Sequence, residues 1–123
     1  PLAAAVKVYA GAILMRNAAG YLTKGATATG AVGVGRAEAA ADNSAGAAGA
    51  LKVTWRAGIF FYGNSAAGDL IALADIGKIC FIVDDQTVAK TDGGGTRSRA
   101  GIVEDVEGSG VWVRFDEAVT RGA

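Results

Sequence analysis

The chain has 123 residues, the length of a single domain, and its 12 basic and 12 acidic residues give a net charge of zero. The absence of histidine excludes Ser–His and Cys–His catalysis within the chain, and the single cysteine, Cys80, excludes an internal disulfide. No apolar run approaches the ~20 residues of a membrane span, and no basic cluster is interleaved with aromatic residues, so neither a membrane nor a nucleic acid is expected as a direct partner.

The first half of the chain predicts short β-strands and surface turns. Residues 1–5 lack the basic start of a signal peptide and are expected to form a short N-terminal arm. Runs that favour strands follow at 6–9, 12–15, 21–23 and 31–37, the last with glycines that permit a close backbone approach. Residues 38–49 are rich in Ala, Gly, Asn and Asp and predict a surface loop. Alternation in the next segment places Leu51, Val53 and Trp55 on one face of a strand.

The second half continues the same pattern, with one helical exception. The run Ile59-Phe60-Phe61-Tyr62 carries large residues on both faces, so we expect the core to cover one face and a partner the other. Residues 69–76 have the only helical spacing and predict one or two turns, with Asp69 as N-cap and Gly77 as the stop. Further strands are predicted at 79–83, 101–106 and 111–115, and a hairpin loop at 107–110. The polar tail, 116–123, is expected to fray or to dock on a neighbour.

These elements predict a single all-β domain, residues 1–123, with at most short helical turns. About seven to nine short strands with closely spaced loop signals are typical of a compact small β-barrel or a sandwich. Within the strand at 79–83, we expect Cys80, Phe81 and Ile82 to be buried. Cys80 is then a small hydrophobic residue rather than a reactive thiol, since no histidine can activate it.

No segment carries a pattern typical of catalysis, metal binding or cofactor binding. The acidic pairs Asp84-Asp85 and Glu104-Asp105 are adjacent, and neighbouring side chains on a strand point to opposite faces. The spacing of a calcium-binding loop is also absent, so the acids are interpreted as turn and edge residues. The glycine-rich segments 30–36 and 92–96 lack the further glycine or lysine of nucleotide-binding loops. The sequence therefore predicts a protein that is not an enzyme and holds no cofactor or metal.

Composition favours self-association. The 27 alanines and 19 glycines leave a core of modest bulk, which neighbouring subunits could complete. Residues 1–60 contain six basic and two acidic residues, whereas residues 61–123 contain six basic and ten acidic residues. The two halves therefore carry net charges of +4 and −4, and copies could meet through complementary fields. The alternative, that folding mixes both halves on one surface, remains open.

Candidate interface residues come from the aromatic and arginine positions. Most aromatic residues should form the core, and whichever of Trp55, Phe60 and Phe61 is exposed becomes an interface anchor. Arg97 and Arg99 alternate on one face and could hold carboxylates of a partner, although a solvated loop is the alternative. The predicted interface comprises Arg56, Phe60, Phe61, Arg97 and Arg99.

Several structural motifs follow one another along the chain. The firmest are Asp75-x-Gly77-Lys78 followed by the apolar strand, Val83-Asp84-Asp85-Gln86-Thr87-Val88, and Gly110-Val111-Trp112-Val113. Further segments in the middle of the chain are Val34-Gly35-Arg36-Ala37-Glu38, Arg56-Ala57-Gly58-Ile59-Phe60 and Asn64-Ser65. In this order, the motifs resemble the capsid cement or decoration proteins of tailed bacteriophages. The resemblance covers residues 6–115 and consists of structural rather than catalytic signatures.

The resemblance implies a structural virion protein on the outer surface of the head. It implies the major capsid protein as partner, a homotrimer as the assembly, and stabilisation of the shell against the pressure of packaged DNA. An alternative function from another class is a glycan-binding module on a virion or cell surface, for which exposed aromatic residues beside acidic loops would be the sign.

Overall fold

The computed structural model describes all 123 residues, and it contains eleven β-strands, two short 3-10 turns and one helix. The strands are β1 Val6–Val8, β2 Ile13–Arg16, β3 Leu22–Lys24, β4 Val32–Ala37, β5 Ala41–Asn43, β6 Trp55–Arg56, β7 Ile59–Gly63, β8 Ile79–Asp84, β9 Thr87–Ala89, β10 Arg99–Glu107 and β11 Gly110–Arg114. The 3-10 turns are Ala67–Asp69 and Leu73–Asp75, and the helix α1 is Glu117–Arg121. The all-β prediction is confirmed.

Five strands close into a barrel in the order β7-β9-β8-β10-β11, because β11 pairs with both β7 and β10. Closure depends on a parallel contact at Gly63 and Thr87, where the Gly63 amide donates to the Gln86 carbonyl at 2.8 Å. The architecture is therefore a barrel, not a sandwich. Its interior holds the larger core, to which β7, β8, β9, β10 and β11 all contribute.

A second layer extends from the barrel. Strand β4 pairs with the start of β10, β2 pairs with β4, and β3 pairs with β2, while β1 and β5 form a separate two-stranded sheet. Strand β2 is buried on both faces: Ile13 and Met15 belong to the barrel core, and Leu14 belongs to the second core. This alternation follows from the two-residue period of a strand, and it joins the two cores into one domain.

The glycines of β4 sit where another backbone passes closely. A Cβ atom at Gly33 would lie 2.1 Å from the Ala100 carbonyl oxygen, and one at Gly35 would lie 2.3 Å from the Arg56 carbonyl oxygen. The predicted close approach in this strand is confirmed. Since neither position has room for a methyl group, β10 and β6 can pair with β4 only because these residues are glycine.

The two chain ends are integrated into the fold, contrary to prediction. Leu2 is fully buried in the second core, and the Leu22 amide donates to the Pro1 carbonyl at 2.9 Å, so residues 1–3 are not a free arm. The tail docks on its own domain, because α1 packs against β4 and β10 and buries Thr120. The carboxylate of Asp116 accepts from the Val119 amide at 3.2 Å and caps this helix.

Three local predictions were wrong. Residues 38–49 include β5, which pairs with β1 and buries Asn43, so this segment is not only a loop. Leu51 is exposed, whereas Val53 is buried, because the strand itself begins only at Trp55. Asp69 ends a 3-10 turn instead of capping a helix, and the region contains two separate turns.

The prediction for the β8 strand holds for two of its three residues. Cys80 and Ile82 are fully buried in the barrel, whereas Phe81 is only partly buried because alternation points it outwards. The strand has one face in the core and one at the surface.

Replacing Ile82 with alanine should lower the free energy of unfolding by about 2–5 kcal/mol, because it removes a fully buried aliphatic side chain and leaves a cavity. Leu51→Ala, at an exposed position before β6, is the matched control and should cost under about 0.5 kcal/mol. Urea denaturation of the three proteins tests this, and equal stability of the two variants would contradict the placement of β8.

Candidate interaction surfaces

Phe60 belongs to the core and is not an exposed anchor. Its ring lies 6.2 Å from that of Phe115 inside the barrel, and the Arg36 guanidinium covers its outer side, 3.9 Å from the ring centroid. The next aromatic residue on the strand, Tyr62, is also buried, and its hydroxyl donates to the Gly11 carbonyl at 3.0 Å. Burial raises the pKa of Tyr62, which therefore remains protonated. An isolated chain does not expose Phe60 and Phe61 together.

Phe61 is exposed and lies on the outside of the barrel with two further apolar side chains. Ile59 and Phe61 point outwards from β7, each 46% exposed, and Trp112 lies opposite Phe61 on β11. The rings of Phe61 and Trp112 are 5.0 Å apart and tilted by 56°. We call Ile59, Phe61 and Trp112 the aromatic face. From the sequence, we expect the core to cover only one face of residues 59–62, and the aromatic face is the side that the core leaves uncovered.

Acidic side chains border the aromatic face. Glu107 accepts a hydrogen bond from the Trp112 indole at 3.3 Å, and Asp105 pairs with Trp112 in the β10–β11 ladder. A bulge between Val103 and Asp105 shifts the register of β10 at this point. Glu104 forms an ion pair with Arg114 at 3.4 Å, whereas Asp105 and Glu107 have no basic partner within the chain. The hairpin thus places two uncompensated negative charges beside the half-buried ring of Trp112, which in turn contacts the exposed ring of Phe61.

Arg97 and Arg99 line one cleft together with a third arginine. The cleft has a volume of about 460 Å³, and its lining includes Arg97, Arg99, Arg121, Asp92 and Phe81. We call Arg97, Arg99 and Arg121 the arginine cleft. Sequence reasoning missed Arg121, because only the docking of α1 on β4 and β10 brings the end of the chain to this position.

Fixed ion pairs hold two of these arginines. Arg97 contacts Asp69 at 3.2 Å and donates to the Thr91 carbonyl at 3.1 Å, while its Nε is buried without a partner. The pKa of Asp69 is lowered mainly by a hydrogen bond from the Thr91 hydroxyl and to a smaller extent by a hydrogen bond from Arg97. Arg99 is exposed and has no carboxylate partner within the chain. It is therefore the cleft arginine most available to an external carboxylate.

Glu117 positions Arg121. Its carboxylate contacts Arg121 at 2.6 Å and Arg16 at 3.0 Å, so one negative charge serves two arginines. Burial raises the pKa of Glu117, but the hydrogen bonds from Arg121 and Arg16 outweigh burial and lower the pKa overall. Arg16, Arg121 and Glu117 together therefore carry a net charge of +1.

Arg56 lies outside the cleft. Strand β4 pairs with Arg99 at Val32 and with Arg56 at Arg36, four residues further along, which is roughly 13 Å at 3.3 Å per residue. The aromatic face lies on β7 and β11, neither of which pairs with β4 or β8. The five predicted interface residues are therefore distributed over one core position and three separate surface positions.

A third exposed surface was not predicted. The segment between β7 and β8 exposes Leu70, Leu73 and Ile76, with Leu73 70% exposed, while Ile71 is buried in the barrel core. We call Leu70, Leu73 and Ile76 the apolar loop. Their spacing of three residues was the available signal, and in the sequence it predicts only helical turns within residues 69–76.

Hydrogen bonds hold the apolar loop in place. The side chain of Asn64 donates to the Ile71 carbonyl at 2.9 Å and accepts from the Ile71 amide at 3.0 Å. Asp75 accepts from the Ala72 amide at 2.8 Å and closes the second 3-10 turn. Asn64 thus binds both backbone groups of Ile71, and the Ile71 side chain lies in the barrel core. These contacts hold Leu70, Leu73 and Ile76 in one arrangement.

Cys80 lies in the barrel core, and Asp84 lies at the turn that follows the same strand. Burial raises the pKa of the Cys80 thiol to about 12, so the thiol remains protonated at neutral pH. The Asp84 carboxylate accepts from the Gln86 amide at 2.8 Å and stabilises the β8–β9 turn. No three His, Cys, Asp or Glu side chains converge as a metal site. None of the helical elements combines the length and apolarity that a membrane crossing demands.

Comparison with protein-family models, with curated proteins and with solved structures finds no match to this chain. The resemblance to phage cement proteins therefore stays a prediction from the sequence motifs.

Replacing Glu117 with glutamine should lower the free energy of unfolding by about 0.5–1 kcal/mol at pH 7, because two ion pairs are lost. The folded-state pKa of Glu117 lies below its ordinary value of 4.5, so its stabilisation is complete above about pH 5. It is lost as the pH falls through the lower, folded-state pKa. Denaturation of wild type and E117Q at pH 7 and pH 3 should show a smaller stability difference at pH 3 than at pH 7, and an equal difference at both would contradict this assignment.

Proposed function

We propose that the protein is a structural component of a tailed-phage virion that binds the outer surface of the major capsid shell and stabilises the head. Two features support the proposal: the ordered sequence motifs that resemble those of cement proteins, and a closed barrel that carries exposed apolar groups at fixed positions. The assembly proposed with it is a homotrimer. Such a protein stabilises a shell by binding the assembled state in preference to free capsomers.

The apolar loop is the observation that carries shell attachment. Three large aliphatic side chains exposed on one short segment are a liability for a chain that remains alone in water, and such exposure marks interaction sites. Asn64 and Ile71 already hold the loop, so little conformational entropy is lost when it binds. We assign the shell contact to Leu70, Leu73 and Ile76.

Head stability tests the proposed function. Heads that lack the protein should release DNA at a lower temperature, or after milder chelation, than heads to which purified protein has been added back. The expected result is saturable binding to heads together with raised DNA retention. Heads of equal stability, together with a protein that does not sediment with them, would reject the proposal.

Replacing Leu73 with serine should weaken head binding about tenfold or more, because burying a leucine side chain contributes roughly 1.5–3 kcal/mol. The matched control is Leu51→Ser, which removes a leucine that is 42% exposed in the segment before β6, outside the apolar loop. Sedimentation of each variant with heads measures affinity, and thermal melting confirms that both remain folded. Equal affinity of L73S and wild type would place the shell contact elsewhere.

A glycan-binding module is the second candidate, and the aromatic face is the observation that favours it. Phe61 and Trp112 line a shallow cleft of about 500 Å³ with Arg36 and Gln86, and Glu107 lies beside Trp112. Aromatic rings that stack on sugar faces next to polar side chains are typical of such sites. Binding on a glycan array that Trp112→Ala abolishes would favour this function over capsid attachment.

A further inference from the structure

Charge is separated along a single strand. Strand β10 begins at Arg99 in the arginine cleft and ends at Asp105 and Glu107 beside the aromatic face. The eight steps from Arg99 to Glu107 span roughly 26 Å at 3.3 Å per residue. The barrel therefore carries a cationic and an anionic region at opposite ends of its longest strand. The net charges of the two sequence halves do not describe this separation, since folding interleaves the halves in one sheet.

Neither region is neutralised within the chain. Arg99 has no carboxylate partner, and Glu117 is shared between Arg121 and Arg16. At the other end, Asp105 and Glu107 have no basic partner, since the nearby Arg114 pairs with Glu104. Asp92 reduces the charge of the arginine cleft without cancelling it. Two regions of opposite sign thus remain open to a partner.

Both the cationic and the anionic region also contain aromatic rings. Trp112 and Phe61 lie next to the acidic residues, and a guanidinium group stacks favourably on aromatic rings of this kind. The arginine cleft in turn contains the partly buried ring of Phe81. An arginine of the cleft can therefore meet a carboxylate and an aromatic ring in one contact.

We infer that the aromatic face with Asp105 and Glu107 of one copy docks on the arginine cleft of a second copy. The two patches are different regions of the same molecule, so the contact is head-to-tail and can close into a ring. This inference deepens the self-association within the proposed function by naming the surfaces, and it rests on that part of the proposal alone. It leaves the apolar loop for the shell.

The test uses two variants that each neutralise one patch. D105N/E107Q removes the negative charges, and R99Q/R121Q removes positive charges from the cleft. Sedimentation equilibrium should show wild type above monomer mass and each variant alone as a monomer. An equimolar mixture should form a one-to-one dimer, since one variant keeps an intact cleft and the other an intact acidic patch. The control D42N/K52Q changes two exposed charges elsewhere and should assemble like wild type.

Every other outcome overturns the inference. A monomeric wild type, variants that keep the wild-type mass, or a mixture that stays monomeric would each exclude the head-to-tail contact. Circular dichroism melting of each variant establishes folding, and R99Q alone provides a second cleft variant that leaves the Glu117 ion pair intact. Head sedimentation is measured in parallel, so a monomer that still binds heads rejects the inference and preserves the proposed function.

Discussion

Strand β10 is the constraint on which the structure depends, because it belongs both to the barrel and to the outer layer. It pairs with β8 and β4 at its start and with β11 along the rest of its length. These pairings require backbones to approach closely, and small residues permit it. A Cβ atom at Gly101 would lie 2.5 Å from the Arg114 carbonyl oxygen, just as one at Gly33 would meet Ala100. The ends of β10, and the charges on them, are therefore held at fixed positions.

Strand type and approximate position could be predicted where the sequence alternates strongly. The strands at β8 and β11 agree with their predictions because Cys80, Ile82, Val111 and Val113 alternate with outward residues. Strand β5 could not be predicted from propensity, since Ala, Asp and Asn rarely favour strands. It exists because Asn43 is buried and donates to the carbonyls of Ala3 and Ala47 at 2.9 and 3.0 Å. Tertiary hydrogen bonds outweighed local preference there.

The candidate surfaces were predictable only in part, for a related reason. Arg97 and Arg99 are close in the sequence and line one cleft, but no local pattern could bring Arg121 to them, since its position depends on the docked helix. Alternation also places Phe60 and Phe61 on opposite faces of β7, but it does not say which of the two faces the core. In the apolar loop, a three-residue spacing is common to a buried helical face and to a segment whose intervening residue, Ile71, points inwards. Periodicity shows which side chains share a face, whereas tertiary packing decides which face is buried.

The three surfaces divide the molecule into regions with different physical character. The aromatic face combines stacked rings with carboxylates, the cleft combines guanidinium groups with one aromatic ring, and the loop is aliphatic. Polar and charged contacts provide orientation and partner choice, whereas aliphatic burial provides affinity with little directional preference. The proposed function, in which copies join in one register and attach to a shell, requires both kinds of contact.

The sealed position of Cys80 has a consequence for experiment. Because the only thiol of the chain is enclosed by the barrel core and remains protonated, a thiol reagent can reach it only when the barrel opens. The rate of labelling in native buffer therefore reports the opening equilibrium when closing is fast, and the opening rate when labelling is fast. Labelling of Cys80 therefore measures how often the barrel opens, with no change to the native sequence. Because the surface carries no cysteine, a cysteine introduced there would react much faster than Cys80 and could be labelled selectively.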